Sequence, residues 1–73
     1  MNAIWLISGG PLQMIAAAKV KSLGYELILS DGAENPVCRQ LCDHFLQVDT
    51  FNVEAHLKAA VKLRYQFNIK AVL

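Results

Sequence analysis

The sequence predicts an α/β fold, a four-stranded parallel sheet in order 3-2-1-4 with helices packed on both faces. Three observations carry this. Short apolar runs alternate with helix-period segments in the order strand, helix, strand, helix, strand, helix, strand. The connections are long enough for the crossovers that parallel neighbours require. Right-handed crossovers in this rhythm build a Rossmann-like, three-layer arrangement whose winding reverses between strands one and four. The chain stops at Leu73 in the middle of the fourth strand, so the sheet is expected to be a truncated one.

Strand one spans residues 3–8, a continuously apolar run of the kind that is buried on both faces of a parallel sheet. Gly9 and Gly10 then form a tight turn, and Pro11 suits a first helical position, where its missing N–H is not needed. The first helix is expected over residues 11–23, with Leu12, Ala16, Val20 and Leu23 as its buried stripe and Gly24 as its stop. Strand two covers residues 25–30, and residues 31–36 (Asp-Gly-Ala-Glu-Asn-Pro) compose a turn. A short helix over residues 37–42 leads to strand three at residues 45–48. Asp49, Thr50 and Asn52 offer capping side chains for a long helix from Val53 to residue 65 or 67. Its buried stripe is expected to be Val53, Leu57, Ala60, Val61 and Phe67, with Arg64 snorkelling from the same side. Asn68 closes that helix and strand four occupies residues 71–73.

Composition narrows the function. Residues 1–73 make one small domain, which buries roughly 60% of its unfolded surface. The apolar fraction of 55% exceeds the usual range of about 45–50%. That excess in so short a chain points to apolar surface meant for a partner, either a second copy or further chain. The exposed edge of strand four suggests a homodimer by strand pairing. A net charge of +1 gives no electrostatic case for nucleic acid, and no run approaches the roughly 18 apolar residues of a membrane span. Lacking a basic, apolar leader, the chain is expected to be cytoplasmic. Cys38 and Cys42, with Asp43 and His44 beside them, lack the spacing and second ligand pair of a zinc site and read as core thiols.

The glycine turn is the feature closest to chemistry. It is neither G-x-G-x-x-G nor a phosphate loop with Gly-Lys-Ser/Thr, which disfavours a nicotinamide-dependent oxidoreductase. Two readings stay open for it. One is a tight structural turn; the other is a polar or anionic ligand site lined by the Gly10 and Leu12 N–H groups and the Gln13 amide. Asp31, about twenty residues on, is either a turn-stabilising carboxylate or a ligand contact. No paired carboxylates, serine–histidine–acid set or activated cysteine is present, so no catalytic or metal-binding residue is expected in this segment.

Several segments together resemble the N-terminal domain of ATP-grasp ligases, of the carbamoyl-phosphate-synthase-like and biotin-carboxylase-like kind. They are the strand ending in Gly9-Gly10, the Leu12-Gln13 that opens the first helix, the Lys21-to-Asp31 stretch, Leu41-Cys42-Asp43-His44-Phe45, Val48-Asp49-Thr50 and Phe67-to-Leu73. Cys42 stands where that family usually has alanine. The resemblance implies a parent enzyme that joins a carboxylate to an amine through an acyl phosphate, using ATP and magnesium held by later domains. This segment would contribute a wall of the substrate site through Gly9, Gly10, Pro11, Leu12, Gln13 and Asp31, and would be inactive alone. A stand-alone α/β module binding a small phosphorylated ligand is the alternative.

Overall fold

The computed structural model describes all residues, 1–73. Four strands form one parallel sheet in the order β3-β2-β1-β4: β1 (Asn2–Ile7), β2 (Glu26–Asp31), β3 (His44–Gln47) and β4 (Asn68–Val72). Two α-helices join them, α1 (Met14–Ser22) and α2 (Val53–Gln66). Both the parallel direction and the strand order follow the sequence prediction.

β1 is the central strand, and its alternation sorts the core into two layers. Ile4 and Leu6 point to one face and pack with Leu27, Leu29, Ala17, Val20 and Cys38. Ala3 and Trp5 point to the other and pack with Ile28 and Leu63. α1 therefore covers one face and α2 the other, as the period-2 geometry of a doubly covered strand requires. The buried Trp5 indole donates to the Ser30 hydroxyl at 2.7 Å, which satisfies a polar pair within the α2-side layer.

Several boundaries and facings differ from expectation. The first helix begins as a 3₁₀ turn over Pro11–Gln13 before α1 proper, and the short second helix is also 3₁₀, over Val37–Leu41. Of the stripe expected for the first helix, Val20 is buried and Ala16 half-buried, while Leu12 and Leu23 are exposed; Ala17 and Met14 face the core instead. Of the stripe expected for α2, Ala60 packs inward, as does Phe67 just past the helix end, together with Ala59 and Leu63, whereas Val53, Leu57 and Val61 lie outside. The physical reason is common to both helices. Alanines let each helix seat close to the sheet around one larger buried residue, Val20 in α1 and Leu63 in α2, and Leu23, Val53, Leu57 and Val61 are left to the outer surface. Arg64 does not snorkel from the sheet side; it is exposed, with its guanidinium over the Tyr65 ring. Helix α2 stops at Gln66, and Asn68 opens β4 rather than closing the helix, its N–H donating to the Met1 carbonyl. No helix is long and apolar enough to cross a membrane.

Candidate functional site

The carboxyl ends of the strands gather the loops that follow β1, β2 and β3. The elbow after β1 is held by a dense set of bonds. Ser8 N–H donates to the Ser30 carbonyl at 2.7 Å, and Gly9 N–H donates to Asp31 Oδ2 at 2.8 Å. Cys38 braces both glycines, its N–H donating to the Gly9 carbonyl at 2.9 Å and its thiol reaching the Gly10 carbonyl at 3.5 Å. Gln13 N–H closes the 3₁₀ turn on the Gly10 carbonyl at 3.0 Å.

The two glycines serve different ends. Gly9 is buried, and a Cβ there would come within 2.8 Å of a Leu29 methyl and 3.1 Å of Cys38 Cβ. It is glycine because strand β2 and the 3₁₀ turn approach too closely for anything larger. Gly10 has an ordinary extended backbone, with φ of −74°, as the residue before Pro11 should. A Cβ there would meet only the flexible end of Gln13, at 3.2 Å. Nothing within the fold requires glycine at that position.

What the elbow leaves free is as specific as what it ties. Gly10 N–H and Leu12 N–H donate to no protein acceptor, and Pro11 has no N–H. No side chain caps the 3₁₀ turn or α1, and neither first turn contains an acid. The uncapped N–H groups and the positive end of the helix dipole thus lie at the carboxyl end of β1, where Gly10 is half-buried and Pro11 and Leu12 are exposed. Donors left free at a helix start are of the kind that a carboxylate, phosphate or carbonyl oxygen can pair with.

Asp31 sits at the end of β2 next to this elbow, and the fold uses both its oxygens. Oδ2 accepts from Gly9, and Oδ1 accepts from Ala33 N–H at 2.8 Å. The structure therefore brings Gly9, Gly10, Pro11, Leu12, Gln13 and Asp31 together in one corner, with Asp31 shaping the turn. Asp49 does similar local work, accepting from Phe51 N–H at 2.9 Å, while Asn52 caps α2 by accepting from Ala55 N–H at 3.0 Å.

Two contributors were not legible from the residues. Ser8 holds a left-handed backbone at φ of +78°, a conformation rare for anything but glycine. Cys38 ties a distant segment to both glycine carbonyls. Sequence spacing carries no trace of either. Burial pushes the Cys38 thiol up, with the Asp31 charge and Cys42 adding to it; burial raises the Cys42 thiol as well. Both sulfurs are protonated at neutral pH and are poor nucleophiles. No three His, Cys, Asp or Glu side chains converge in a way that could hold a metal ion.

The largest concavity is elsewhere, an open groove of about 430 Å³ between α2 and β3 lined by Leu46, Ala55, Lys58, Ala59 and Lys62 among others. It is open, and its polar lining, Lys58, Lys62 and Gln66, includes no acid or nucleophile, so the elbow remains the better candidate on chemistry.

The chain matches no family model and no curated protein. Its fold is similar to a solved structure, N5-carboxyaminoimidazole synthetase from Staphylococcus aureus, at a TM-score of 0.72 and 22% identity. The likeness covers 92% of this chain and 23% of that one, so the chain spans about a quarter of the length of that synthetase.

Proposed function

We propose that this chain is the N-terminal, substrate-facing domain of an ATP-grasp carboxylate–amine ligase. The fold likeness to a synthetase of the ATP-grasp kind, extending over nearly the whole chain, carries the reading. The elbow supports the substrate-facing role. Gly10 is a glycine the fold itself does not need, and a Cβ there would intrude where a ligand approaches the free Gly10 and Leu12 N–H groups. Those donors would orient a substrate oxygen, and Gln13 would add its amide. ATP and magnesium would be bound by the remaining domains, which would also cover Leu12, 91% exposed beside the elbow. In this reading the segment positions substrate and leaves acyl-phosphate chemistry to its partners.

Calorimetry and amide NMR on the chain test this together. Magnesium ATP should show no binding tighter than millimolar. Inorganic phosphate and acetate, added in turn, should move the Gly10 and Leu12 amide signals before any others. Micromolar nucleotide affinity would favour an independent binding module, and an elbow unmoved by either anion would remove the substrate-facing role.

A further inference from the structure

One flank of α2 carries a dent that its own residues make. Ala55, Lys58, Ala59 and Lys62 follow one another at steps of three, one and three, which keeps them on one side of the helix. The two alanines are half-buried and the two lysines are exposed. Where the alanines stand low, Leu46 of β3 and the buried Leu63 supply the rest of the floor. β3 is an edge strand of only four residues, so no further strand covers the opening. The result is the groove of about 430 Å³, within the range of roughly 300–1,000 Å³ typical of small-molecule sites.

The groove also has a sign. Two cations line it and no acid does. Lys62 makes no ion pair, and Lys58 meets only Glu54, at 3.4 Å, in a solvated contact that is easily given up. An apolar floor beneath two ammonium groups one turn apart suits a molecule with an apolar body and an anionic end. A neutral apolar molecule would leave the lysines unused. A bare anion would find only solvated lysines and leave the floor wet.

We propose that the groove between α2 and β3 binds a small amphiphilic carboxylate. Its apolar body lies over Leu46, Ala55, Ala59 and Leu63, and its carboxylate sits beside Lys58 and Lys62. The groove is on the α2 face of the sheet, whereas the elbow runs into α1 on the other face, and the proposal does not depend on the ligase role.

Amide NMR titrations with 4-phenylbutyrate test it, with 4-phenylbutanol and acetate as controls and circular dichroism confirming the fold of each variant. The acid should move the signals of Ala55, Lys58, Ala59 and Lys62, with a dissociation constant on the order of 1 mM at ordinary ligand efficiency. The alcohol should bind there about tenfold more weakly, and acetate should leave those signals in place. Lys62→Gln should weaken the acid about threefold, and Lys58→Gln with Lys62→Gln about tenfold, with the alcohol held within about twofold. Ala55→Leu fills the dent without touching a lysine and should abolish binding of both. Equal affinity for acid and alcohol, acid binding indifferent to the lysine variants, or an Ala55→Leu chain that binds like the wild type would each overturn the proposal. So would shifts confined to Gly10 and Leu12, which would place the carboxylate at the elbow instead.

Discussion

At the scale of single residues, the elbow separates what the fold demands from what a ligand would demand. Gly9→Ala forces a methyl into Leu29, which is fully buried and cannot withdraw, and should destabilise the chain by about 1–3 kcal/mol. Gly10→Ala meets only the mobile Gln13 tip and should stay within about 0.5 kcal/mol of wild type. Urea unfolding of the two variants checks the contrast, and equal losses would mean that Gly10 too is structural. A second residue-scale test concerns Ser30, fully buried beneath the Trp5 indole. Ser30→Ala strands a buried indole N–H, with an expected loss of about 1–3 kcal/mol in the same measurement. Some of this was legible beforehand. A glycine pair after an apolar strand announces a turn, but which glycine is packed and which is open depends on Leu29 and Cys38, residues distant in sequence.

At the scale of elements, the alternation of strands and helices was readable because each run keeps one period along its length. Helix facing was not, because α2 carries two apolar stripes. The stripe of Ala59, Ala60 and Leu63, two alanines around one leucine, packs on the sheet, and the bulkier one of Val53, Leu57 and Val61 does not. Hydrophobicity favours the wrong stripe; close approach of helix to sheet favours the right one. The amino ends of β2 and β3 are held together with α1 by Asp43. Its Oδ2 accepts from Lys21 Nζ at 2.5 Å and from Leu27 N–H at 2.8 Å, and its own N–H donates to the Leu27 carbonyl at 2.9 Å. Burial acting alone would raise this carboxyl, but the bonds from Lys21 and Leu27 together outweigh it and hold the pKa below its ordinary value. A carboxyl depressed in the folded state stabilises fully above its unfolded pKa, about 3.9, and loses that contribution as pH falls through the lower folded value. The urea midpoint should therefore drop most steeply below about pH 4. Asp43→Asn should flatten part of that slope, and an unchanged slope would show that the tie contributes nothing.

At the scale of the whole molecule, the apolar excess of the sequence is spent outside the core. The radius of gyration of 11.1 Å equals the roughly 11 Å expected for a compact chain of this length, so the packing is not loose. Yet only 13 of 73 residues are buried, 11 of them in two clusters separated by a single sheet, and Val53, Leu57 and Val61 of α2, with Leu12, Ile15 and Phe51, remain at the surface. Two thin half-cores of this size rarely supply more than about 3–5 kcal/mol of net stability. In such a protein any association that favours the folded state becomes visible in the unfolding equilibrium by mass action. Between 10 µM and 1 mM, self-association through this exposed apolar surface should add on the order of 1 kcal/mol, which in a domain this small moves the thermal midpoint upward by about 4–8 °C. Scanning calorimetry at the two concentrations measures it. A midpoint that stays fixed would mean that this apolar surface remains solvated at both, and that its exposure alone does not bring two copies together.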